Sequence, residues 1–212
     1  MKKIFFAFSF MLLSFLWTVQ AQKEVTVRFG GLVGFNMSQW GGDFADYYET
    51  TFRPGFHIGG LAEMMLNQQW SIQPELLFSY EGTNSDVLDK GISAMYVKLP
   101  VLVYYNFLLG SSGRLSPGAG VYCAGGLAGK IDGDQNTFDG MEKFDWGVEA
   151  RLAYEVLNQK GNGIFAALGF SQGFSETHSM MLKVSVGYKF PYSKWLNTTY
   201  YKNRASNNNY ND

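Results

Sequence analysis

The sequence predicts an all-β fold, an eight-stranded antiparallel up-and-down transmembrane β-barrel. Three observations lead to this prediction. Apolar and polar residues alternate in eight segments, long and short connections alternate between the segments, and aromatic residues collect at both ends of the apolar face. An even number of strands with this asymmetry of loops is typical of barrels in the outer membrane of Gram-negative bacteria.

The N-terminus reads as a secretory signal peptide. Lys2 and Lys3 precede an apolar run at residues 4–17, which is shorter than the roughly 20 residues that a membrane helix needs. A small-residue cleavage site follows and ends at Ala21. We therefore expect residues 1–21 to be removed, residues 22–190 to form the barrel domain, and the polar, Asn-rich residues 191–212 to form a periplasmic tail.

The composition narrows the functional classes. Lys and Arg together number 17 and Asp and Glu 18, so no basic excess suggests a nucleic-acid partner. The single cysteine, Cys123, cannot form an internal disulfide, and it falls on the apolar face. We expect a monomeric barrel without a cofactor or a metal, surrounded by outer-membrane lipid.

A period of two defines the first four strands, because alternate side chains of a strand point to opposite faces. In the first strand, Phe29 and Phe35 share an apolar face that carries no charge. In the second, Phe56 and Ile58 lie opposite His57. The third, WSIQPELLFSYEG, and the fourth, which contains YVKLPVLVYYN, alternate in the same way. These strands are predicted at residues 25–37, 53–65, 70–82 and 94–107.

The last four strands share a crowded second face. The fifth is rich in glycine, and the seventh sets small residues such as Ala167 and Gly169 opposite its apolar face. The sixth, FDWGVEARLAYEV, alternates without a fault, and the eighth ends in the aromatic pair Tyr188 and Phe190. Small residues suit the interior of a narrow barrel. These strands are predicted at residues 116–127, 144–156, 163–174 and 179–190.

Two prolines interrupt neighbouring strands, Pro74 in the third and Pro100 in the fourth. A proline has no N–H to give to a sheet, and a closed barrel has no edge where that loss is harmless. Pairing the two strands places the prolines near the same level. We expect them to mark a shared bulge or weak patch in the periplasmic half of the wall.

A secreted ligand-binding barrel is the alternative fold, with an apolar inside and a polar outside. Two rows of aromatic residues favour the membrane, because such girdles lie at the two interfaces of a bilayer. The row at the short-turn end comprises Trp70, Tyr105, Phe107, Tyr154, Tyr188 and Phe190, and the row at the long-loop end comprises Phe35, Phe56, Phe78, Tyr80, Trp146 and Phe174.

The polar face predicts a charge network that fills the lumen. An eight-stranded barrel is filled by its own side chains, and buried charges need partners. The alternative is a proton or ion path through the same residues. The predicted inward set is Arg28, Arg53, His57, Glu63, Glu75, Lys98, Asp145, Glu149, Arg151, Glu155, Lys183 and Lys189.

Five motifs together resemble the PorT-like outer-membrane β-barrel family of the Bacteroidetes. They are QPELLFSYEG, YVKLPVLVYYN, PGAGVYCAGGL, FDWGVEA and the closing VGYKF, and their order covers nearly all of the mature chain. The resemblance implies an eight-stranded barrel without catalytic residues. The family's namesake takes part in type IX secretion, so an accessory role in secretion or envelope maintenance is one expectation. The polar tail after Phe190 departs from the family pattern.

An enzyme at the outer rim, acting on lipid A or phospholipid, is a further alternative. Ser175, Glu176, His178 and Ser179 cluster on the last outer loop and offer a nucleophile, an orienting carboxylate and a base. Polar residues in a hairpin loop are also ordinary turn chemistry, which we favour. The run DGDQNTFDGMEK at residues 132–143 fails as a calcium loop, because Thr137 and Lys143 replace its essential glycine and glutamate.

The first long loop is the largest candidate surface for a protein partner. Trp40, Phe44, Tyr47 and Tyr48 make it more apolar than a solvated loop requires. The alternative is that these aromatic residues pack on themselves across the mouth of the barrel. The periplasmic tail is the other segment that we expect to contact a partner.

Overall fold

The computed structural model describes residues 26–41, 50–85, 90–110, 112–131, 143–158, 160–175 and 178–191. The predicted signal peptide and residues 192–212 lie outside this set. Within the described ranges, no helix is long and apolar enough to cross a membrane. The strands are β1 (Thr26–Gln39), β2 (Thr50–Met65), β3 (Trp70–Ser85), β4 (Lys90–Tyr105), β5 (Phe107–Leu109), β6 (Gly113–Ile131), β7 (Phe144–Leu157), β8 (Gly163–Gly173) and β9 (Met180–Pro191).

The strands form one closed antiparallel sheet. Consecutive strands pair with each other except β4 and β5; β1 pairs with β9, and β4 and β5 both pair with β6. The short strand β5 continues β4 beyond Asn106, whose backbone N–H donates to Gln69 O at 2.6 Å instead of joining the ladder with β6. With β4 and β5 counted as one wall strand, the predicted eight-stranded barrel is confirmed.

Several strands extend further toward the long-loop end than the alternation predicts. β2 begins at Thr50, β3 ends at Ser85, β4 begins at Lys90 and β6 ends at Ile131. Polar residues continue the ladder there, and the Ser38 hydroxyl also donates to Gly82 O at 2.7 Å. The polar composition that suggested loops therefore belongs to the rim of the wall.

The alternation separates an apolar outer face from a buried inner one. Exposed and buried residues alternate without exception along β7. Phe35 is 77% exposed on the outer face, while Leu102 is fully buried inside. An apolar outer face suits hydrocarbon and is the opposite of what the alternative of a secreted, water-facing barrel requires.

The wall is interrupted around Pro74. Between β2 and β3 the ladder stops after the pair of Leu61 with Glu75 and resumes at Met64 with Ile72, in unchanged register. Between β3 and β4 it stops at Pro74 and resumes at Leu77, again in register. The expected weak patch is therefore present at Pro74 without a bulge. Pro100 keeps a continuous ladder with β6, so it shares only the gap toward β3.

Candidate functional site

The lumen is the candidate functional site, because it gathers the charged side chains of the wall. The period of two turns every second side chain inward, and a ring of eight strands leaves little room beyond those side chains. Twelve charged residues lie there with at most 5% exposure, cations and carboxylates in equal number: Arg28, Lys98, Arg114, Arg151, Lys183 and Lys189 with Glu63, Glu75, Glu81, Asp145, Glu149 and Glu155.

The basal cluster occupies the short-turn end of the lumen and comprises Arg28, Glu63, Arg114, Glu155 and Lys189. Arg28 donates to Glu63 Oε2 at 2.8 Å and to Glu155 Oε1 at 2.7 Å. Arg114 donates to Glu63 Oε1 at 2.8 Å and also pairs with Glu155. Lys189 Nζ lies 3.2 Å from Glu63 Oε1. Three cations therefore share two carboxylates.

The central cluster lies further into the barrel and comprises Glu75, Glu149, Arg151 and Lys183. Arg151 spans two carboxylates, donating to Glu75 Oε1 at 2.5 Å and from Nε to Glu149 Oε1 at 3.1 Å. Lys183 donates to the other oxygen of Glu149 at 2.6 Å. The charges balance, and such pairing is what buried ions require.

Gln73 joins the two clusters into one hydrogen-bonded chain. Its amide nitrogen donates to Glu75 Oε1 at 2.6 Å, and its carbonyl oxygen accepts from Lys189 Nζ at 2.7 Å. Because a glutamine both donates and accepts, it connects the two clusters without adding charge. The chain of contacts runs from Lys183 on β9 to Arg114 at the base of β6.

The outer cluster lies toward the long-loop end and comprises Glu81, Lys98, Tyr122, Asp145 and Ser179. Lys98 Nζ lies 2.7 Å from Glu81 Oε1 and 4.8 Å from the centroid of the Tyr122 ring. Asp145 Oδ2 accepts hydrogen bonds from Tyr122 at 2.8 Å and from Ser179 at 2.7 Å. This cluster has one cation for two carboxylates, the reverse of the imbalance at the base.

His57 projects from β2 into the lumen beside Gly34, its pairing partner on β1. Its Nε2 is hydrogen-bonded to Ser185 Oγ at 2.8 Å. The ring fits only because residue 34 is glycine: a Cβ there would lie 2.6 Å from two ring atoms of His57. Apolar side chains complete the packing of the lumen, among them Leu32, Leu61, Leu77, Leu102, Tyr104 and Phe165.

Two of the lumen charges, Arg114 and Glu81, are missing from the predicted set. Arg114 precedes the predicted start of the fifth strand at residue 116, whereas β6 begins at Gly113 and turns the Arg114 side chain inward. Its parity with Ser116 was the available signal. Glu81 shares the parity of Glu75 and lies within the predicted third strand at residues 70–82, so the alternation alone was sufficient to include it.

Arg53 lies at the outer rim of the wall, where it is half-buried, and its place among the lumen charges stays a prediction. β2 carries one residue more than β3 between the pairs Phe52–Thr83 and Phe56–Tyr80, which is a bulge. Against β1 the register is unbroken, and Arg53 pairs with the inward-facing Ser38. The Arg53 guanidinium donates to Asn84 Oδ1 at 3.2 Å.

Trp40 is not part of an exposed interaction surface. It keeps the inward parity of Ser38, so its side chain turns into the outer mouth of the lumen and is only 1% exposed. There it packs with an apolar group that includes Ile92, Tyr96 and Tyr122. For Trp40 the alternative of packing across the mouth is the correct one. The other predicted loop residues, Phe44, Tyr47 and Tyr48, lie outside the described residues.

The rim serines and histidine are only partly described. Ser175 is buried, His178 is exposed with a φ of 37°, and Glu176 lies outside the described residues. Ser175 and His178 are joined by a backbone hydrogen bond across a turn, in which His178 N–H donates to Ser175 O at 2.9 Å. Of the run DGDQNTFDGMEK at residues 132–143, only Lys143 lies within the described residues. No group of three metal-ligating side chains occurs within the described ranges.

The aromatic residues of both predicted rows occupy outward-facing positions of their strands. At the short-turn end, Trp70 packs edge-on against Tyr105 with ring centroids 5.0 Å apart, and Tyr105 packs against Phe107 at 4.8 Å. At the long-loop end, Trp146 packs against Phe174 at 5.2 Å. Tyr154, Tyr188 and Phe190 extend the first row, and Phe35, Phe56, Phe78 and Tyr80 extend the second.

A closed eight-stranded barrel with an apolar outside and a charged, filled inside defines an outer-membrane β-barrel protein. The chain belongs to the family described as "Outer membrane protein beta-barrel domain", whose sequence model matches residues 20–179. This family places it in the outer membrane of a Gram-negative bacterium. No curated protein sequence matches the chain.

Solved outer-membrane proteins share the fold. The outer membrane protein OprG from Pseudomonas aeruginosa superimposes with a TM-score of 0.54 at 13% identity, covering 78% of this chain and 95% of its own. Neisserial surface protein A (NspA) gives a TM-score of 0.51 at 10% identity, covering 77% of this chain and 97% of its own. At these identities the likeness concerns the fold alone.

Proposed function

We propose that this protein is a non-enzymatic outer-membrane barrel whose lumen is closed by its own side chains and which acts as a structural or interaction barrel. The observation that supports this most is the hydrogen-bonded chain through the basal and central clusters. Every charge of that chain has an opposite charge within hydrogen-bond distance. An ion that entered would have to displace these pairs, which is costly in a buried site.

The closed lumen predicts that purified protein in a planar bilayer carries no steady current in concentrated KCl. The basal and central clusters block the path, because their side chains are at most 5% exposed. A general porin, inserted under the same conditions, serves as the positive control. Steady large-channel openings from the folded protein would contradict the closed lumen and favour the alternative of an ion path.

The outer end of the barrel is the side on which we place a partner. The connections between strands at that end contain ten acidic residues against a single basic one, Lys143: Asp43, Asp46, Glu49, Asp86, Asp89, Asp132, Asp134, Asp139, Glu142 and Glu176. Opposite charge steers association, so a cationic partner is favoured. Participation in protein secretion or envelope maintenance is the finer proposal, and it rests on the resemblance to PorT-like barrels.

Site-specific photo-crosslinking in intact cells tests which end of the barrel meets a partner. A photoreactive residue in place of the exposed His178 at the outer end is expected to give a discrete adduct. The matched control replaces the exposed Lys160 in the turn between β7 and β8 at the opposite end. Adducts from position 160 alone would contradict the outer-end proposal and favour a periplasmic partner. An adduct that contains a secretion component would support the finer proposal.

A further inference from the structure

An apolar groove of about 330 Å³ lies on the lipid-facing wall where β1, β2 and β3 run side by side. The outward-facing residues that line it are Phe29, Gly60, Ala62, Pro74 and Leu76, and Leu61 and Glu75, whose side chains are buried in the lumen, complete the lining. None of the five outward-facing side chains is polar. The groove therefore offers shape and apolar surface but no means of binding a charged headgroup.

The groove results from two features of the wall. The first is the gap in the ladder, which stops on both sides of Pro74 without a shift of register. The second is the small size of Gly60 and Ala62 between the larger Phe29 and Leu76. Gly60 is not required by the backbone, since a Cβ there would come no closer than 3.8 Å to another atom, Gly30 O.

The groove lies within the hydrocarbon of the periplasmic leaflet. Pro74 follows Trp70 of the short-turn aromatic row by four residues on β3, which is about 13 Å along a strand at 3.3 Å per residue. A strand tilt of about 40° reduces this to roughly 10 Å of depth, inside the near half of an apolar band about 25 Å tall. Acyl chains occupy that depth.

We propose that this Pro74 groove is a binding site for one acyl chain of a phospholipid in the periplasmic leaflet. A chain that lies between Phe29 and Leu76 over the small surface of Gly60 and Ala62 covers apolar atoms on more sides than a chain on the smooth wall does. The site recognises the chain by shape, so it does not select the headgroup.

Native mass spectrometry of the full chain, released from phosphatidylethanolamine vesicles, tests the proposal. We expect one retained phospholipid on the wild type. In Gly60→Leu, whose new side chain occupies the groove, we expect this retained phospholipid to be lost, because the acyl chain no longer reaches its dispersion contacts between Phe29 and Leu76. The matched control is Gly125→Leu on β6, an outward glycine whose Cβ would meet no atom within 4 Å; it is expected to retain the lipid.

Heat-dependent gel mobility first establishes that each variant folds, and Ala62→Leu replaces Gly60→Leu if the latter does not. Equal retention by the wild type, the groove variants and Gly125→Leu would overturn the proposal. A mass of two copies of the chain, lost in Gly60→Leu, would assign the groove to a second barrel instead. Retained lipopolysaccharide in protein purified from cells would contradict the assignment to the periplasmic leaflet.

Discussion

A Glu63→Gln variant is expected to unfold with a free energy about 3 to 5 kcal/mol below that of the wild type, the cost of removing one partner from a buried ion cluster. Glu63 is 1% exposed and is the shared acceptor for Arg28, Arg114 and Lys189. Without its charge, three buried cations remain with Glu155 alone. Urea unfolding in phospholipid vesicles, followed by tryptophan fluorescence, measures the change.

Two variants control this experiment. Adding Lys189→Met to Glu63→Gln restores the original charge difference of the basal cluster, so part of the lost free energy of unfolding is expected to return. Lys160→Gln removes an exposed charge and is expected to change stability by less than about 0.5 kcal/mol. If Glu63→Gln unfolded at the same urea concentration as Lys160→Gln, the basal cluster would not stabilise the barrel.

A Gly59→Ala variant is expected to lose about 1 to 3 kcal/mol of stability through overpacking. Gly59 faces the lumen, where an added Cβ would lie 2.7 Å from Leu77 Cδ2 and 2.8 Å from Leu77 Cα, and would collide with Leu76 O. Leu76 O and Leu77 Cα belong to the backbone, so neither can move without shifting β3. The same urea titration in vesicles measures the effect.

The neighbouring Gly60→Ala is the matched control. It adds the same methyl group to the same strand, but on the lipid-facing side, where the nearest atom would be 3.8 Å away. We expect its stability to stay within about 0.5 kcal/mol of the wild type. Equal stability of the two variants would mean that the inner face is looser than its packing indicates.

The inside and outside of the wall follow from local alternation, so much of the fold was predictable. Phe35 and Trp146 point outward and Glu63 and Arg151 point inward, as the period of two requires. Next to Arg53, a bulge adds a residue to β2 against β3. A bulge of this kind leaves no mark on the alternation itself, and only the pairing with β3 reveals it.

The ends of the strands were less predictable than their faces. Polar residues such as Thr50 and Ser85 read as loop, but they pair with each other at the rim of the wall. Arg114 was likewise left outside the predicted fifth strand, which begins at residue 116, whereas β6 begins at Gly113. Trp40 reads as an exposed aromatic residue, yet it closes the mouth of the lumen with Tyr122, a contact between distant segments.

The sequence alone establishes which side chains face lipid and which face the lumen, since strand periodicity is local and each strand carries it independently. It does not establish which charges meet. Arg28 pairs with Glu155, 127 residues away, because the closure of the barrel places β1 only three strands from β7 around a narrow lumen, which the two side chains span. The same holds for WSIQPELLFSYEG, whose proline is visible in the sequence. Its gap and its groove depend on the two neighbouring strands.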